Sequence, residues 1–265
     1  MSIAIGIDAG GTKLAAGRVN IDTGKVSDRR LMDTRRSRGG AAVLGDVVGL
    51  ARGLGRDVMA IGIGVPEMVD ADGTIQSAAN WDWRDLDLAL AFEELPRVRI
   101  VSDVYAAALA EARLGAGREH SSFLYVSIGT GISSTLVLEG RPWSGADGRA
   151  ILLGAPLVED TSSGTAIALA AGTRTAELAF LDATHDGVIE TAASALGLEI
   201  ARVVHATDPG LIVLGGGLGL NERYRGLVEA AVVASIDPTY TNAPRVVSAA
   251  LGENVGIIGA ALAAI

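Results

Sequence analysis

The chain has no cysteine at all. That excludes a disulfide framework and a thiolate metal centre. Its three histidines, His120, His185 and His205, are far apart and form no ligand pair, so no zinc site is expected. Basic residues are in the minority, 22 lysines and arginines against 31 acids, which gives a formal charge of −9. The one basic cluster, DRRLMDTRRSR at 28–38, reads as a solvated strand edge or loop, and no nucleic-acid partner is expected. An anionic ligand must then be gripped locally, by backbone amides, a lysine or a metal ion. Long apolar runs are missing too. The longest uncharged stretch, 121–138, is rich in serine and threonine and is interrupted by Gly129 and Gly131, which argues against a membrane span. The N-terminal MSIAIGIDAGG has no basic segment before its apolar residues, so it does not read as a secretory signal, and the expected compartment is the cytoplasm.

What is present is apolar and ordered. With 265 residues, 49% of them hydrophobic, the chain can build one large domain or two packed lobes. Residues 2–8, 13–20 and 25–33 read as strands of a meander, and 41–54 as a helix. The continuous apolar run 58–65 reads as a strand covered on both faces. A helix at 86–95, a strand at 98–101 and a helix at 103–115 follow, with a DADG turn at 70–73. Then the opening pattern returns: SFLYVSIGTGISSTLVL, 122–138, is again strand, glycine turn, strand. Helical stretches are expected at 161–171, 173–181, 187–206, 221–236 and 255–265, with strands at 210–219 (running into glycines) and 245–249. Strands alternating with helices imply sheets covered by helices. The repeated meander implies two related lobes, each turning a glycine-rich loop toward one cleft.

Each loop has a chemical reading. In DAGGTK, Gly10 and Gly11 leave backbone N–H groups approachable, Thr12 adds a hydroxyl and Lys13 a point charge. Asp8, at the strand end, is suited to magnesium, directly or through water. A plain hairpin with glycine at positive φ is the competing reading. Thr130 and Gly131 in the second turn, and Gly215, Gly216 and Gly217 after the late strand, repeat the pattern. None of these is a Walker loop or a dinucleotide fingerprint. Asp103, opening a helix, reads on its own as the N-cap and, beside the other motifs, as base and cap together.

Taken together, these segments resemble the ROK family of sugar kinases and related repressors. GIDAGGTKLAAGRV resembles its first phosphate motif, GIGVPEMVDADGTI its Gly-x-Pro-Gly segment and AANWDWRDLDL its sugar-side asparagine loop. VSDVYAAALAEARLG resembles the helix that begins with the catalytic aspartate. VSIGTGISSTLVLEGRPWSGADG resembles the second phosphate motif, DPGLIVLGGGLG the adenosine-side motif and LGENVGIIGAALAAI the closing helix. The resemblance implies an α/β, two-lobed actin-like (ribonuclease H-like) ATPase fold with a cleft between lobes. The lobes would be 1–104 with the returning helix 253–265, and 105–252. It also implies ATP- and Mg2+-dependent phosphoryl transfer to a sugar hydroxyl, often by a homodimer. Asp103 would be the base, Gly10 to Lys13, Thr130 and Gly131 would hold phosphates, Gly215 to Gly217 would meet the adenosine, and Asn80 would bind a sugar hydroxyl.

The departures concern the sugar. Leu152 and Ala155 stand where the family's Gly-Glu-Ile-Gly-His run has its glutamate and histidine, and the zinc cysteines are missing. Ser102 and Tyr105 replace asparagines around the base, and Glu67 replaces the glycine after Pro66. A hydroxyl facing leucine goes unpaired at a cost of about 1–3 kcal/mol. The expected acceptor is therefore an aminosugar, deoxysugar or cyclitol rather than plain glucose, with Glu67 and Ser102 as replacement contacts. Trp81, Trp83 and Trp143 read equally as packing or as pocket wall. A non-catalytic sensor of the same fold, a repressor and a polyphosphate-dependent kinase are the competing functions. The repressor reading lacks a winged helix before Gly6.

Overall fold

The computed structural model describes residues 2–150, 153, 158–240 and 242–265. The chain divides into two units, Met1–Gly115 with Pro142–Ala150 and Glu253–Ile265, and Ala116–Arg141 with Ile151–Gly252. The first unit therefore keeps all of the helix that the sequence boundary at 104 would have cut away.

The first unit is built on five strands: β1 (Ile3–Ala9), β2 (Lys13–Asn20), β3 (Val26–Asp33), β4 (Ile61–Val65) and β5 (Val98–Ser102). They lie in the order β3-β2-β1-β4-β5, the meander antiparallel and β1-β4-β5 parallel. Side chains alternate across a strand. One face of β1 and β4 carries Ile5, Ile7, Ala9, Ile61, Ile63 and Val65, which pack with Val43, Leu44 and Val47 of α1 (Gly40–Gly53). The other face carries Gly6, Asp8, Gly62 and Gly64. It is nearly bare, and the last helix comes down onto it. A Cβ on Gly6 would strike the Ile257 carbonyl, and one on Gly62 the Ala260 carbonyl. The small helix α2 (Leu88–Phe92) is capped by Asp87, whose Oδ1 accepts the Leu90 N–H at 2.9 Å.

α3 (Asp103–Leu114) follows β5 directly, and Val104 and Ala106–Ala112 are buried. β3, at the sheet edge, is mostly exposed and carries Arg29 and Arg30, charges that guard a free edge against mispairing.

The second unit repeats the plan with β6 (Ser122–Ile128), β7 (Ile132–Leu138), β8 (Arg141–Pro142), β9 (Leu211–Gly215) and β10 (Arg245–Ser248), in the order β10-β9-β6-β7-β8. Here too the central strand pairs antiparallel with its successor and parallel with the later strand. Its helices are α4 (Glu159–Ser162), α5 (Gly164–Ala171), α6 (Ala176–Ala179), α7 (Asp186–Thr207), α8 (Gly216–Gly219) and α9 (Glu222–Ser235). Ile189, Ala193, Leu196, Ile200 and Val204 line one stripe of α7 and share a core with Tyr224, Val228 and Val232 of α9. The chain closes in the first unit with α10 (Val255–Ala263). Among the described residues no helix is long and apolar enough to cross a membrane.

Several elements differ from the sequence reading. The run 58–65 becomes strand only at Ile61. Before that, Met59 N donates to Ile3 O at 2.9 Å as the chain crosses the start of β1. The 86–95 helix shrinks to five residues because Asp87 fixes its start and Pro96 follows closely. The 161–171 stretch breaks at Ser163, which is extended and caps α5 by accepting the Ala166 N–H at 3.1 Å. Only Ala176–Ala179 of 173–181 is α-helical. The late strand stops at Gly215, and Gly216 turns into α8 with φ +75.

Candidate active site

Two aspartates share the bare face of the first sheet. Asp8 is the last residue of β1 on that face and pairs in register with Gly64 of β4. Gly64 pairs in turn with Val101 of β5, and Asp103 comes two residues later. Gly64 thus lies between the acids: a Cβ there would stand 3.7 Å from Asp103 Cα and 3.6 Å from Ala106 Cβ. Both carboxylates are half-buried. Burial pushes Asp8 up to about 6. Burial pushes Asp103 up to about 7, helped by the charge of Asp8 and, more weakly, of Glu67, and opposed by the Val104 N–H that it accepts at 2.6 Å. A carboxylate that titrates near neutrality is suited to proton transfer.

The α3 cap is Ser102 rather than Asp103. Ser102 Oγ accepts the Tyr105 N–H at 3.3 Å, so Asp103 is the first helical residue and its second oxygen stays available. This corrects the reading of Asp103 as cap and base together. It also gives the Ser102 hydroxyl a structural task.

The asparagine loop is organised by Glu67. The sequence reading makes Glu67 a replacement contact to the acceptor. Instead Glu67 is only 5% exposed and its carboxylate is filled from within. Oε2 accepts from Ser77 Oγ at 2.5 Å and Ala79 N at 2.8 Å; Oε1 accepts from Asn80 N at 2.7 Å and Trp81 N at 3.4 Å. The Asn80 side chain donates to Pro66 O at 3.0 Å and accepts from Arg36 Nη1 at 3.4 Å. Trp81 and Trp83 are buried, their rings 5.8 Å apart, and Trp83 Nε1 donates to Gly40 O at 2.8 Å. They serve as packing, whereas Trp143 is largely exposed.

The first glycine turn closes when Gly10 N donates to Lys13 O at 2.9 Å. Neither Gly10 nor Gly11 takes positive φ, so the hairpin reading based on that conformation does not apply. Space is the reason for Gly11: a Cβ there would stand 2.9 Å from Asn80 Oδ1. Thr12 and Lys13 are exposed. Thr34, fully buried and not singled out from the sequence, braces the turn. Its hydroxyl donates to Gly10 O at 2.6 Å and its N–H to Thr12 O at 3.0 Å.

In the second unit, Gly129 N donates to Gly131 O at 2.9 Å, and the turn rests on the start of α5. Gly164 N donates to Gly129 O at 2.8 Å, and Thr165 Oγ1 to Thr130 O at 2.9 Å. Glu159 also stands here, 2.5 Å from where a Cβ on Gly131 would lie. The sequence reasoning missed these helix-start residues; the only trace was an acid ahead of TSSGTA. The later glycines divide. Cβ atoms on Gly215 and Gly216 would strike Tyr125 and the Ile128 carbonyl, so both are required by packing on β6, while a Cβ on Gly217 would meet only Glu177 Oε1, at 3.9 Å. Leu152 and Ala155 lie outside the described residues.

At the start of α10 the Asp8 carboxylate lies against Gly256, and Asn254 Oδ1, two residues earlier, is buried without a hydrogen-bond partner. The Asp8 carboxylate, which receives no hydrogen-bond donor among the described residues, has the oxygen chemistry that a hard cation such as magnesium takes, keeping several waters.

Comparison with known proteins agrees with this architecture. The ROK family model matches residues 4–166 and 157–265. A glucokinase of Thermotoga maritima is 28% identical over 97% of this chain and 95% of its own length. The crystal structure of a ROK hexokinase from Thermus thermophilus superposes with a TM-score of 0.81 at 29% identity, covering 98% of this chain and 97% of that one. A ROK glucokinase from Streptomyces griseus, solved with glucose and AMPPNP, gives 0.82 at 25% identity, covering 98% of both chains.

Proposed function

This chain belongs to the ROK family, and on that premise we propose that it transfers the γ-phosphoryl group of ATP to a hydroxyl of a sugar or sugar-like polyol. The observation that carries the reading is Asp103, a half-buried carboxylate raised to about 7 beside Asp8. As the acceptor oxygen bonds to the γ-phosphorus and ADP leaves, the hydroxyl proton passes to Asp103. A base with an ordinary carboxylate pKa would take that proton less readily at neutral pH.

Asn80 is the acceptor contact, held over Gly11 of the first turn. In the first unit Gly11 and Thr12 offer backbone N–H groups to phosphate oxygens and Lys13 adds a charge, Gly10 N–H being used to close the turn. In the second unit Thr130 and Gly131 offer theirs, and Gly217 is the glycine assigned to the adenosine. Asp8 would hold magnesium, directly or through water, and the ion would offset phosphate charge when bound. Leu152 and Ala155 offer no hydrogen bond where the family resemblance places glutamate and histidine, which favours an aminosugar, deoxysugar or cyclitol over glucose.

The test is ADP release from ATP and magnesium against glucose, N-acetylmannosamine, 2-deoxyglucose and myo-inositol, with Asp103→Asn alongside. Turnover is expected with one of the last three. It should fall at least about a hundredfold in the variant while nucleotide binding persists. A variant that keeps more than about a tenth of the rate removes Asp103 as base. Nucleotide binding without turnover of any acceptor favours the sensor.

A further inference from the structure

Glu67 does more than fill space. A buried carboxylate is costly unless donors satisfy it, and here four donors converge on one group from a single five-residue stretch, 77–81. Three of the four are backbone N–H groups. The carboxylate therefore fixes the path of the loop main chain as well as one side chain. The stretch includes Asn80, and the residue before Glu67 finishes the job: Pro66 O receives the Asn80 carboxamide N–H. Main chain and side chain of Asn80 are thus both anchored to the Pro66-Glu67 dipeptide at the end of β4, a fully buried strand. The far side of Asn80 meets Gly11.

We infer that Glu67 is the positioning residue of the acceptor site, setting the place of Asn80 and so the affinity for the acceptor. This rests on the reading of Asn80 as the acceptor contact. The role belongs to this chain's own residues, since the family resemblance puts glycine after Pro66, and glycine offers no acceptor to the 77–81 stretch.

Glu67→Gln has nearly the same shape but presents an NH2 group to backbone N–H donors, so at least one anchor is lost. The loop should loosen. In a Trp143→Phe background, emission from Trp81 and Trp83 should shift to the red. With whichever of N-acetylmannosamine, 2-deoxyglucose and myo-inositol turns over as the probe, the acceptor KM should rise about tenfold, with kcat within about twofold and nucleotide Kd unchanged. Ser77→Ala, which removes one donor and leaves the carboxylate in place, should move KM about threefold in the same direction, and it decides the matter if the glutamine variant does not fold. Asn80→Ala separates the two readings. If it raises acceptor KM while Glu67→Gln and Ser77→Ala leave it alone, the positioning role is wrong and the acceptor contact stands. If Asn80→Ala leaves KM unchanged, the acceptor contact falls and the inference with it. Equal losses of acceptor and nucleotide affinity in Glu67→Gln would mark a general structural role and overturn the inference.

Discussion

Asn80 Oδ1 stands 2.9 Å from the point a Cβ on Gly11 would occupy. The glycine turn and the asparagine loop therefore share one boundary, and a single methyl group is enough to disturb it. Gly11→Ala should displace the Asn80 carboxamide, raising acceptor KM by about fivefold or more and weakening nucleotide binding by a similar factor. Steady-state kinetics with a nucleotide titration measure both. If neither changes, the turn and the loop act independently.

The raised carboxylates predict pH behaviour with a definite sign. Asp103 must be ionised to accept a proton, so kcat/KM should climb with pH and level off above about 7. Stability should run the other way. A carboxyl whose folded pKa lies above its unfolded value binds its proton more tightly in the folded state. Its ionisation costs nothing below about pH 4; the cost builds between about pH 4 and 7 and stays constant above that. Asp103→Asn, which keeps an oxygen for the Val104 N–H, should match the parent at pH 4 and exceed it by about 1–3 kcal/mol at pH 8. Denaturant unfolding at the two values tests this, and a constant difference would place Asp103 in a more solvated setting.

Gly259 packs against the Ala106 carbonyl, where α10 crosses α3 with no room for a side chain. Gly259→Ala should cost about 1–3 kcal/mol through forced separation of the two backbones. Gly226, in exposed surroundings on α9 with nothing within reach of an added Cβ, is the control. Gly226→Ala should be neutral or stabilising by up to about 1 kcal/mol. Melting curves of the pair should move in opposite directions, and equal shifts would contradict close backbone packing.

Thr165 Oγ1 holds Thr130 O at 2.9 Å, tying the second glycine turn to α5. Thr165→Val keeps the shape and loses the bond. Nucleotide Kd should weaken by about three- to tenfold, with acceptor KM unaffected. An unchanged Kd by calorimetry would detach this turn from the nucleotide.

The sequence by itself determined the elements whose cause is local. β2, the β6 turn β7 hairpin and α9 follow from alternation, glycine and capping signals, all of which act within a few residues. The repeated meander was visible for the same reason. The aspartates at strand and helix ends were legible because their type and position are unusual beside apolar runs. The tertiary structure alone decided what depends on distant partners. Nothing near Glu67 in the chain says that the 77–81 stretch will return four donors to it. Nothing near Gly6 or Gly62 says that α10, most of the chain away, will press its backbone on theirs, and nothing near Gly259 says that α3 will meet it. Thr34 and the start of α5 brace turns far from them in sequence. The pKa of Asp8 rises because the fold buries it, and that of Asp103 because the fold buries it and sets the charge of Asp8 beside it; burial is a property of the packed whole.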